Sequence, residues 1–338
     1  MIFFVGTYTR LNGPGIAACS LEGNQLQLLG SAAIPNPTYV ILSADRKTLY
    51  AGSSAAADNT AGGSVAAYRV DGGELTLRAR RNTGAEGPCF QCLSADERFL
   101  YVANYHAGSL TVFPNEPDGL GERIQLIQHE GRGTHPTRQQ GPHVHQVSFI
   151  PGTNLLLVVD LGIDALLVYD QDPSTGRLTW AGRLDCAPGS GPRHVAYGTN
   201  GMIYLANELG NSVTVISRSD AGAGLVSRQT LSTLPEDWQG ETTCAAVRTD
   251  GQYVYVSNRG HDSLAVFRIK TDGLLAAEGI YPTGNGIPRD FYLLGGGRIL
   301  VAHQAGDVSL LQWQPGQALV RLTEPLPIGG AVCVCPAF

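Results

Sequence analysis

The chain has few charged residues, no long apolar run and no sustained helical periodicity. Charged residues make up 15% of its 338 residues. No run approaches the roughly 18 consecutive apolar residues that a membrane-spanning helix needs, and no stretch beyond about ten residues repeats its apolar positions at helical spacing. We therefore expect no membrane partner and a fold that is not helical.

An excess of basic residues is also absent. The net charge is −6, whereas nucleic-acid and anionic-membrane surfaces need clustered lysine and arginine. This charge argues against nucleic acid as a partner, but a few focused arginines are enough for a small anionic ligand.

The N-terminal segment and the cysteines bear on location. The opening MIFFVGTYTR lacks the basic region and the following apolar segment of a secretory signal. The cysteine count is seven, an odd number. Both features predict a reducing, cytoplasmic setting.

What the chain has in abundance is glycine, with 43 residues, and a repeated β-rich phrase. The phrase occurs as FFVGT, LYAGS, LYVAN, LVVD, IYLAN, VYVSN and ILVAH. It ends at Thr7, Ser53, Asn104, Asp160, Asn207, Asn258 and His303, at intervals of 45 to 56 residues. A β unit of this length is typical of one four-stranded propeller blade.

The segments around each phrase complete the unit. A proline-led strand precedes most phrases, as in NPTYV, GPCFQ and GPRHV, and alternating strands such as GSLTVF and NSVTVIS follow. Each unit thus supplies four antiparallel strands. We predict an all-β, seven-bladed β-propeller that forms a single domain over residues 1–338.

The two ends of the chain are incomplete units that complement each other. The N-terminus begins at a second strand, and GGAVCVCPAF near the C-terminus resembles a first strand with nothing after it. We predict that they share one blade, because this closes the ring and removes exposed sheet edges.

Strand starts and phrase endings should lie on one face, since adjacent antiparallel strands run in opposite directions. This face would surround a central pocket. Its polar candidates are His143, His145, Arg193, His194, Asn207, Glu208, Asn258, Arg259, His261, Arg289, His303 and Gln304. A mixture of imidazole, carboxylate and guanidinium groups can bind an anion and move a proton.

The motifs GPHVHQVSFIPG, PGSGPRH, YLANELGNSV and YVSNRGHDSLAVF resemble those of the seven-bladed propeller lactonase family. This family includes bacterial 6-phosphogluconolactonases and fungal carboxy-muconate cycloisomerases. The resemblance extends over nearly the whole chain. It implies a hydrolase that opens a small anionic sugar lactone, 6-phospho-D-glucono-1,5-lactone, in the pentose phosphate route.

The resemblance also implies four catalytic residues: His145, Arg193, Glu208 and Arg259. His145 or Glu208 would act as the base, and the two arginines would bind an anion or the developing oxyanion. His143, His194, Arg289 and Gln304 are candidate substrate-binding residues. Alternatives that remain open are a muconate-type cycloisomerase, another lactonase, and a noncatalytic ligand- or protein-binding propeller in which these side chains are structural.

We expect no cofactor and no metal. Cys89 and Cys92 in CFQC, and Cys333 and Cys335 in CVC, have spacings that suggest zinc or a disulfide. They fall on predicted first strands, where small buried thiols suit close blade packing. The segment from Asp58 to Gly63 predicts a longer loop, which the sequence does not place relative to the pocket.

Overall fold

The structure is a computed structural model that describes residues 1–58, 61–117, 119–219 and 222–337. The predicted loop from Asp58 to Gly63 therefore falls partly outside the described residues. Within these ranges no helix is long and apolar enough to cross a membrane.

The described residues form strands that follow the predicted units in order. The chain begins with β1 (Ile2–Thr7), β2 (Ile16–Glu22) and β3 (Gln25–Ala32). Blade 1 consists of β4 (Pro37–Leu42), β5 (Thr48–Ser53), β6 (Ser64–Asp71) and β7 (Glu74–Asn82). Blade 2 consists of β8 (Pro88–Leu93), β9 (Phe99–Asn104), β10 (Ser109–Glu116), β11 (Gly119–Leu120) and β12 (Gln125–Gln128).

The next two units continue the pattern. Blade 3 consists of β13 (Val144–Phe149), β14 (Leu155–Asp160), β15 (Ala165–Gln171) and β16 (Leu178–Asp185). Blade 4 consists of β17 (Pro192–Tyr197), β18 (Ile203–Asn207), β19 (Ser212–Arg218) and β20 (Leu225–Ser232). Short 3-10 helices follow β1 and β14, at Thr9–Leu11 and Leu161–Ile163.

The last units reach the C-terminus. Blade 5 consists of β21 (Thr243–Thr249), β22 (Tyr253–Arg259), β23 (Ser263–Ile269) and β24 (Leu275–Pro282). Blade 6 consists of β25 (Pro288–Gly295), β26 (Arg298–His303), β27 (Asp307–Gln312), β28 (Val320–Arg321) and β29 (Leu326–Pro327). The final strand is β30 (Ala331–Pro336).

The terminal strands complete blade 7 and close the ring. β30 pairs antiparallel with β1, which gives the strand order β3-β2-β1-β30. The first strand of each blade contacts the first strand of the next, and β30 lies between β25 and β4. The predicted seven-bladed propeller with a shared terminal blade is confirmed.

In blades 2 and 6 the outer strand is divided into two short pieces. β11 and β12 both pair with β10, and β28 and β29 both pair with β27. Pro325 lies between the two pieces in blade 6 and has no N–H to donate to the ladder. The sequence pattern of four continuous strands is therefore modified at these two outer edges.

The core lies between neighbouring blades, which explains why the repeated phrases are apolar on both faces. In β9, Leu100 and Val102 pack toward blade 1, whereas Tyr101 and Ala103 pack toward blade 3. Successive strand residues point to opposite faces, so a strand covered on both sides carries a continuous apolar run.

The polar residues that end the phrases hold strands together and do not line a pocket. All seven are at most 2% exposed. Asn104 Nδ2 donates to Thr111 Oγ1 at 2.9 Å, and Asn207 Nδ2 makes the equivalent bond to Thr214 Oγ1 at 2.9 Å. The expectation that Asn207, Asn258 and His303 converge on the pocket is thus replaced by a structural role, since buried polar groups require partners.

Candidate active site

A cavity of about 250 Å³ opens on the face where the first strands begin. It is lined by Tyr8, Arg10, Asn36, Thr38, Tyr39, Ser54, Gly87, Pro88, Cys89, Tyr105, His106, Arg138, His145, Arg193, His194, Glu208, Arg259, Arg289, Asp290 and Val332. The lining includes five arginines and two carboxylates. A protein of net charge −6 therefore has a cationic cavity.

One ring of lining side chains comes from β-bulges at the starts of the first strands. The pairing register with the second strand shifts by one residue in all seven blades, and in six of them a single residue lies between the paired positions. The residues left between paired positions are Thr38, Cys89, His145, Arg193, Arg289 and Val332. A bulge redirects a side chain out of the regular alternation, and here it directs these six into the cavity.

A second ring follows the buried phrase endings. The residues immediately after the endings in blades 7, 1, 2, 4 and 5 are Tyr8, Ser54, Tyr105, Glu208 and Arg259, and all five line the cavity. In blade 5 the bulge region of β21 contains Ala245 and Ala246. Arg259 at the end of β22 is therefore the long side chain that blade 5 contributes.

Glu208 is the centre of a buried ion cluster. Its Oε2 lies 2.8 Å from Arg193 Nε and 2.9 Å from Arg259 Nη2, while Oε1 accepts from Arg138 Nη2. Burial by itself would raise the pKa of Glu208, but Arg259, Arg193 and Arg138 outweigh it and hold this pKa well below its usual range. Glu208 is therefore an ionised anchor for three guanidinium groups.

Arg193 remains a cation in this setting. Burial, followed by the nearby charges of Arg259 and Arg289, lowers the pKa of Arg193 to about 9. The group stays protonated at neutral pH, so the cluster of Glu208 with three arginines has a net positive charge.

His145 is a buried and neutral imidazole. It is 5% exposed, and its Nδ1 has no hydrogen-bond partner among the described residues. Burial, together with the charge of Arg193, holds the pKa of His145 well below its usual value, although Glu208 partly opposes this shift. The ring makes edge contacts with Tyr105 and His194, at centroid distances of 5.4 and 5.0 Å.

The four predicted catalytic residues are thus brought together, and the four predicted substrate-binding residues divide into two groups. His194 and Arg289 line the cavity. His143 and Gln304 do not: His143 stacks on Tyr105 with centroids 4.5 Å apart, and Gln304 Oε1 accepts from Arg289 Nη1 at 3.1 Å. These two residues contact cavity residues without lining the cavity themselves.

Sequence reasoning missed Arg138, which approaches Glu208 from a loop between blades 2 and 3. The buried side chain of Gln139 fixes this loop: its Oε1 accepts from His135 N at 2.9 Å and its Nε2 donates to Leu161 O at 2.8 Å. The signal available in the sequence was the longest interval between phrases, 56 residues from Asn104 to Asp160, because added length between blades supplies a loop at the cavity rim.

Within the described residues no three His, Cys, Asp or Glu side chains are grouped to hold a metal ion. All seven cysteines are free thiols. Cys89 lines the cavity, but burial raises its pKa to about 12, so this thiol is not a thiolate nucleophile at neutral pH.

The buried histidines predict a loss of stability in acid. His145 and His194 have pKa values well below normal because of burial and Arg193, whereas in the unfolded chain a histidine titrates near about 6.5. As the pH falls below that value, the unfolded chain gains protons that the native protein excludes. Each histidine should then reduce the free energy of unfolding by up to about 1.4 kcal/mol per pH unit.

Urea unfolding at pH 7.5 and 5.5 measures this effect. In His194→Gln, we expect a shallower dependence on pH over the same range. Glu208 contributes to acid lability only below its unfolded pKa near about 4.3, outside this window. An unchanged dependence in the variant would show that His194 has the same pKa in the native and the unfolded protein.

Comparisons with known proteins all find similarity to lactonases. The family described as "Lactonase, 7-bladed beta-propeller" matches residues 2–336. The chain is 34% identical to the 6-phosphogluconolactonase of Bacillus subtilis, with 100% of this chain and 98% of the relative covered. Among solved structures, a putative 6-phosphogluconolactonase from Bacteroides fragilis has a TM-score of 0.89 at 30% identity, with 98% and 96% covered. A periplasmic gluconolactonase from Pseudomonas aeruginosa has a TM-score of 0.90 at 29% identity, with 98% of each chain covered.

Proposed function

Because the chain belongs to the seven-bladed β-propeller lactonase family, we propose that it hydrolyses 6-phospho-D-glucono-1,5-lactone to 6-phosphogluconate in the pentose phosphate route. The observation that carries this proposal is a neutral, buried His145 in a cavity lined by five arginines. A cationic cavity in an anionic protein suits a small anionic substrate. The substrate itself is suggested by the Bacillus subtilis relative.

His145 is the better base of the two candidates. Glu208 is held ionised by three arginines, so its affinity for a proton is low. His145 is neutral at physiological pH and its Nδ1 has no partner among the described residues. A general base needs a free lone pair within reach of the attacking water, and a neutral imidazole on the cavity lining can supply one.

The reaction then requires two proton transfers, from water to His145 and from His145 to the ring oxygen of the lactone. Water attacks the lactone carbonyl carbon as His145 accepts a proton from it, and a negative charge develops on the carbonyl oxygen. Collapse of this intermediate breaks the bond between the carbonyl carbon and the ring oxygen. The ring oxygen then receives the proton from His145. The product is an open-chain hydroxy acid, whose carboxyl group ionises at neutral pH.

Arg193 and Arg259 are the residues that we assign to stabilising the developing oxyanion. Each has five N–H donors, and Glu208 Oε2 lies 2.8 Å from Arg193 Nε and 2.9 Å from Arg259 Nη2. The shared carboxylate fixes both guanidinium groups before substrate arrives. Preorganised donors of this kind stabilise a transition state without reorganising during the reaction.

The state of His145 predicts the dependence of activity on pH. Because its pKa lies well below the usual range, the base form persists through pH 6.5. After subtraction of the spontaneous opening rate, we expect kcat/KM to change by less than about twofold between pH 6 and 8. A fall in kcat/KM with an apparent pKa near about 6.5 would contradict the assignment of a buried neutral base.

A panel of substrates tests the proposed function itself. Purified protein should accelerate opening of 6-phospho-D-glucono-1,5-lactone above the buffer rate. Faster turnover of a muconate would instead indicate a cycloisomerase, and turnover of an unphosphorylated sugar lactone alone would indicate another lactonase. No acceleration with any member would favour a noncatalytic propeller.

A reducing cytoplasm remains our proposal for location. The support is that none of the seven cysteines is in a disulfide, as is usual where thiols are kept reduced. Cell fractionation with an antibody to the native chain tests it.

A further inference from the structure

A second cationic group lies in the same cavity and takes no part in the Glu208 cluster. Arg10 and Arg289 both contact the ring of Tyr8, with their guanidinium carbons 3.9 and 5.4 Å from its centroid. Arg10 follows β1 of blade 7, and Arg289 occupies the bulge of β25 in blade 6. Two cations from neighbouring blades are thus gathered around one aromatic ring.

Among the described residues, no carboxylate lies within ion-pair distance of Arg10 or Arg289. The cavity carboxylates are engaged elsewhere, since Glu208 binds three other arginines and Asp290 pairs with Arg248 at 2.8 Å. Two arginines without a counter-charge, facing a cavity, are a ready site for an anion.

Hydrogen bonds hold the side chain of Arg289 and the backbone of Arg10. Gln304 Oε1 accepts from Arg289 Nη1 at 3.1 Å. On the other side, Asn36 accepts from Arg10 N at 3.4 Å through its Oδ1 and donates to Ser54 Oγ at 3.0 Å through its Nδ2. The backbone that carries Arg10 is therefore tied to blade 1, and the polar side chains of Asn36 and Ser54 also face the cavity.

The ring order places this group on the two blades that follow the Glu208 cluster. His145, Glu208 and Arg259 belong to blades 3, 4 and 5, whereas Arg289 and Arg10 belong to blades 6 and 7. Arg10 in blade 7 is three blades from Glu208 in blade 4, the greatest separation a seven-membered ring allows, whereas Arg289 in blade 6 is next to Arg259 in blade 5. A substrate bound between them would have its two ends in different chemical environments.

We infer that Arg10 and Arg289, flanking Tyr8, form a subsite for the phosphate of a phosphorylated sugar lactone. This inference rests on the proposed function, and it adds the residues that select a phosphorylated substrate. The C6 phosphate is attached through C5, which is bonded to the ring oxygen next to C1, so it lies several bonds from the carbonyl on the ring-oxygen side of the sugar. With the carbonyl at His145, the phosphate is directed toward blades 6 and 7, where two guanidinium groups bind its oxygens.

The test compares two substrates in matched variants. For Arg10→Gln and Arg289→Gln, kcat/KM is measured with 6-phospho-D-glucono-1,5-lactone and with D-glucono-1,5-lactone. We expect each variant to lose about 10-fold to 100-fold with the phosphorylated lactone, mainly through KM, because a charge-assisted hydrogen bond is removed. With the unphosphorylated lactone the change should stay within about threefold. Arg183→Gln, which removes an exposed arginine of β16, is the control and should alter neither value.

The possible results distinguish failure of the phosphate subsite from failure of the proposed lactonase activity. If the variants lose kcat/KM equally with both lactones, the phosphate subsite is wrong and the proposed lactonase activity stands. If the wild-type protein turns over neither lactone, the proposed function fails, and titration with inorganic phosphate decides the subsite. If inorganic phosphate binds and both variants weaken its binding, the subsite is supported. If phosphate does not bind, the subsite is wrong. Comparison of 6-phosphogluconate with gluconate as inhibitors distinguishes a phosphate site from one that binds any carboxylate.

Discussion

Replacement of Glu208 by glutamine is expected to lower the free energy of unfolding by about 3–5 kcal/mol, because it leaves buried cations without their counter-charge. Three guanidinium groups surround this carboxylate, which is 3% exposed. The same change should lower kcat/KM about 100-fold, since displacement of positioned groups by about 1 Å has effects of this size. Urea unfolding and initial rates with the phosphorylated lactone measure the two effects.

The matched control is Asp185→Asn, which removes an ion pair with Arg183 on an exposed strand. An exposed pair contributes little, so the free energy of unfolding should change by no more than about 1 kcal/mol. Equal effects of the two substitutions would show that the Glu208 cluster does not act as a buried anchor.

A double variant gives a second test of the anchor. Glu208→Gln combined with Arg138→Gln removes one uncompensated cation together with the carboxylate. We expect the pair to be less destabilising than the sum of the single changes, because residues in one ion network are coupled. Additive losses would contradict a shared network.

Replacement of His145 by glutamine should lower kcat/KM by about 10²- to 10⁴-fold, the usual contribution of a general base. Its Nδ1 has no hydrogen-bond partner among the described residues, so the substitution breaks no bond at that atom and the melting temperature should stay close to that of the wild type. A loss of kcat with little change in KM is the expected pattern, since His145 acts on the attacking water.

The control for this substitution is His261→Gln. The His261 ring packs against Trp238 and its Nδ1 bonds to Ser263 Oγ at 2.7 Å, outside the cavity lining. Its kcat/KM should match the wild type. If turnover of every lactone survives His145→Ala and Glu208→Gln together, the assignment of the site is wrong even if the protein is an enzyme.

The repeated phrase was sufficient to predict the ring, but not the role of its final polar residue. Asn104 and Asn207 repeat at corresponding positions, and each bonds within its own blade. The residues one place later, among them Tyr105 and Glu208, line the cavity. Periodicity identifies equivalent positions, whereas only the packing of the blades decides which position faces the axis.

The bulges show a second limit of pattern reasoning. His145 and Arg193 are the second residues of their strands, before the regular alternation of inward and outward side chains begins. A period of two therefore does not predict which way these two side chains point. The register shifts of β13 against β14 and of β17 against β18 turn both side chains into the cavity. Bulges depend on the pairing of two strands and are therefore not visible in one strand alone.

The sequence by itself determined the blade count, the shared terminal blade and the types of residue in the candidate site, because these follow from local β patterns, their period and matched motifs. The tertiary structure alone decided which side chains meet. Arg138 and Glu208 are 70 residues apart, and Arg10 and Arg289 come from opposite ends of the chain. Such contacts depend on closure of the ring, which brings distant segments around one axis and directs their charges into a common cavity.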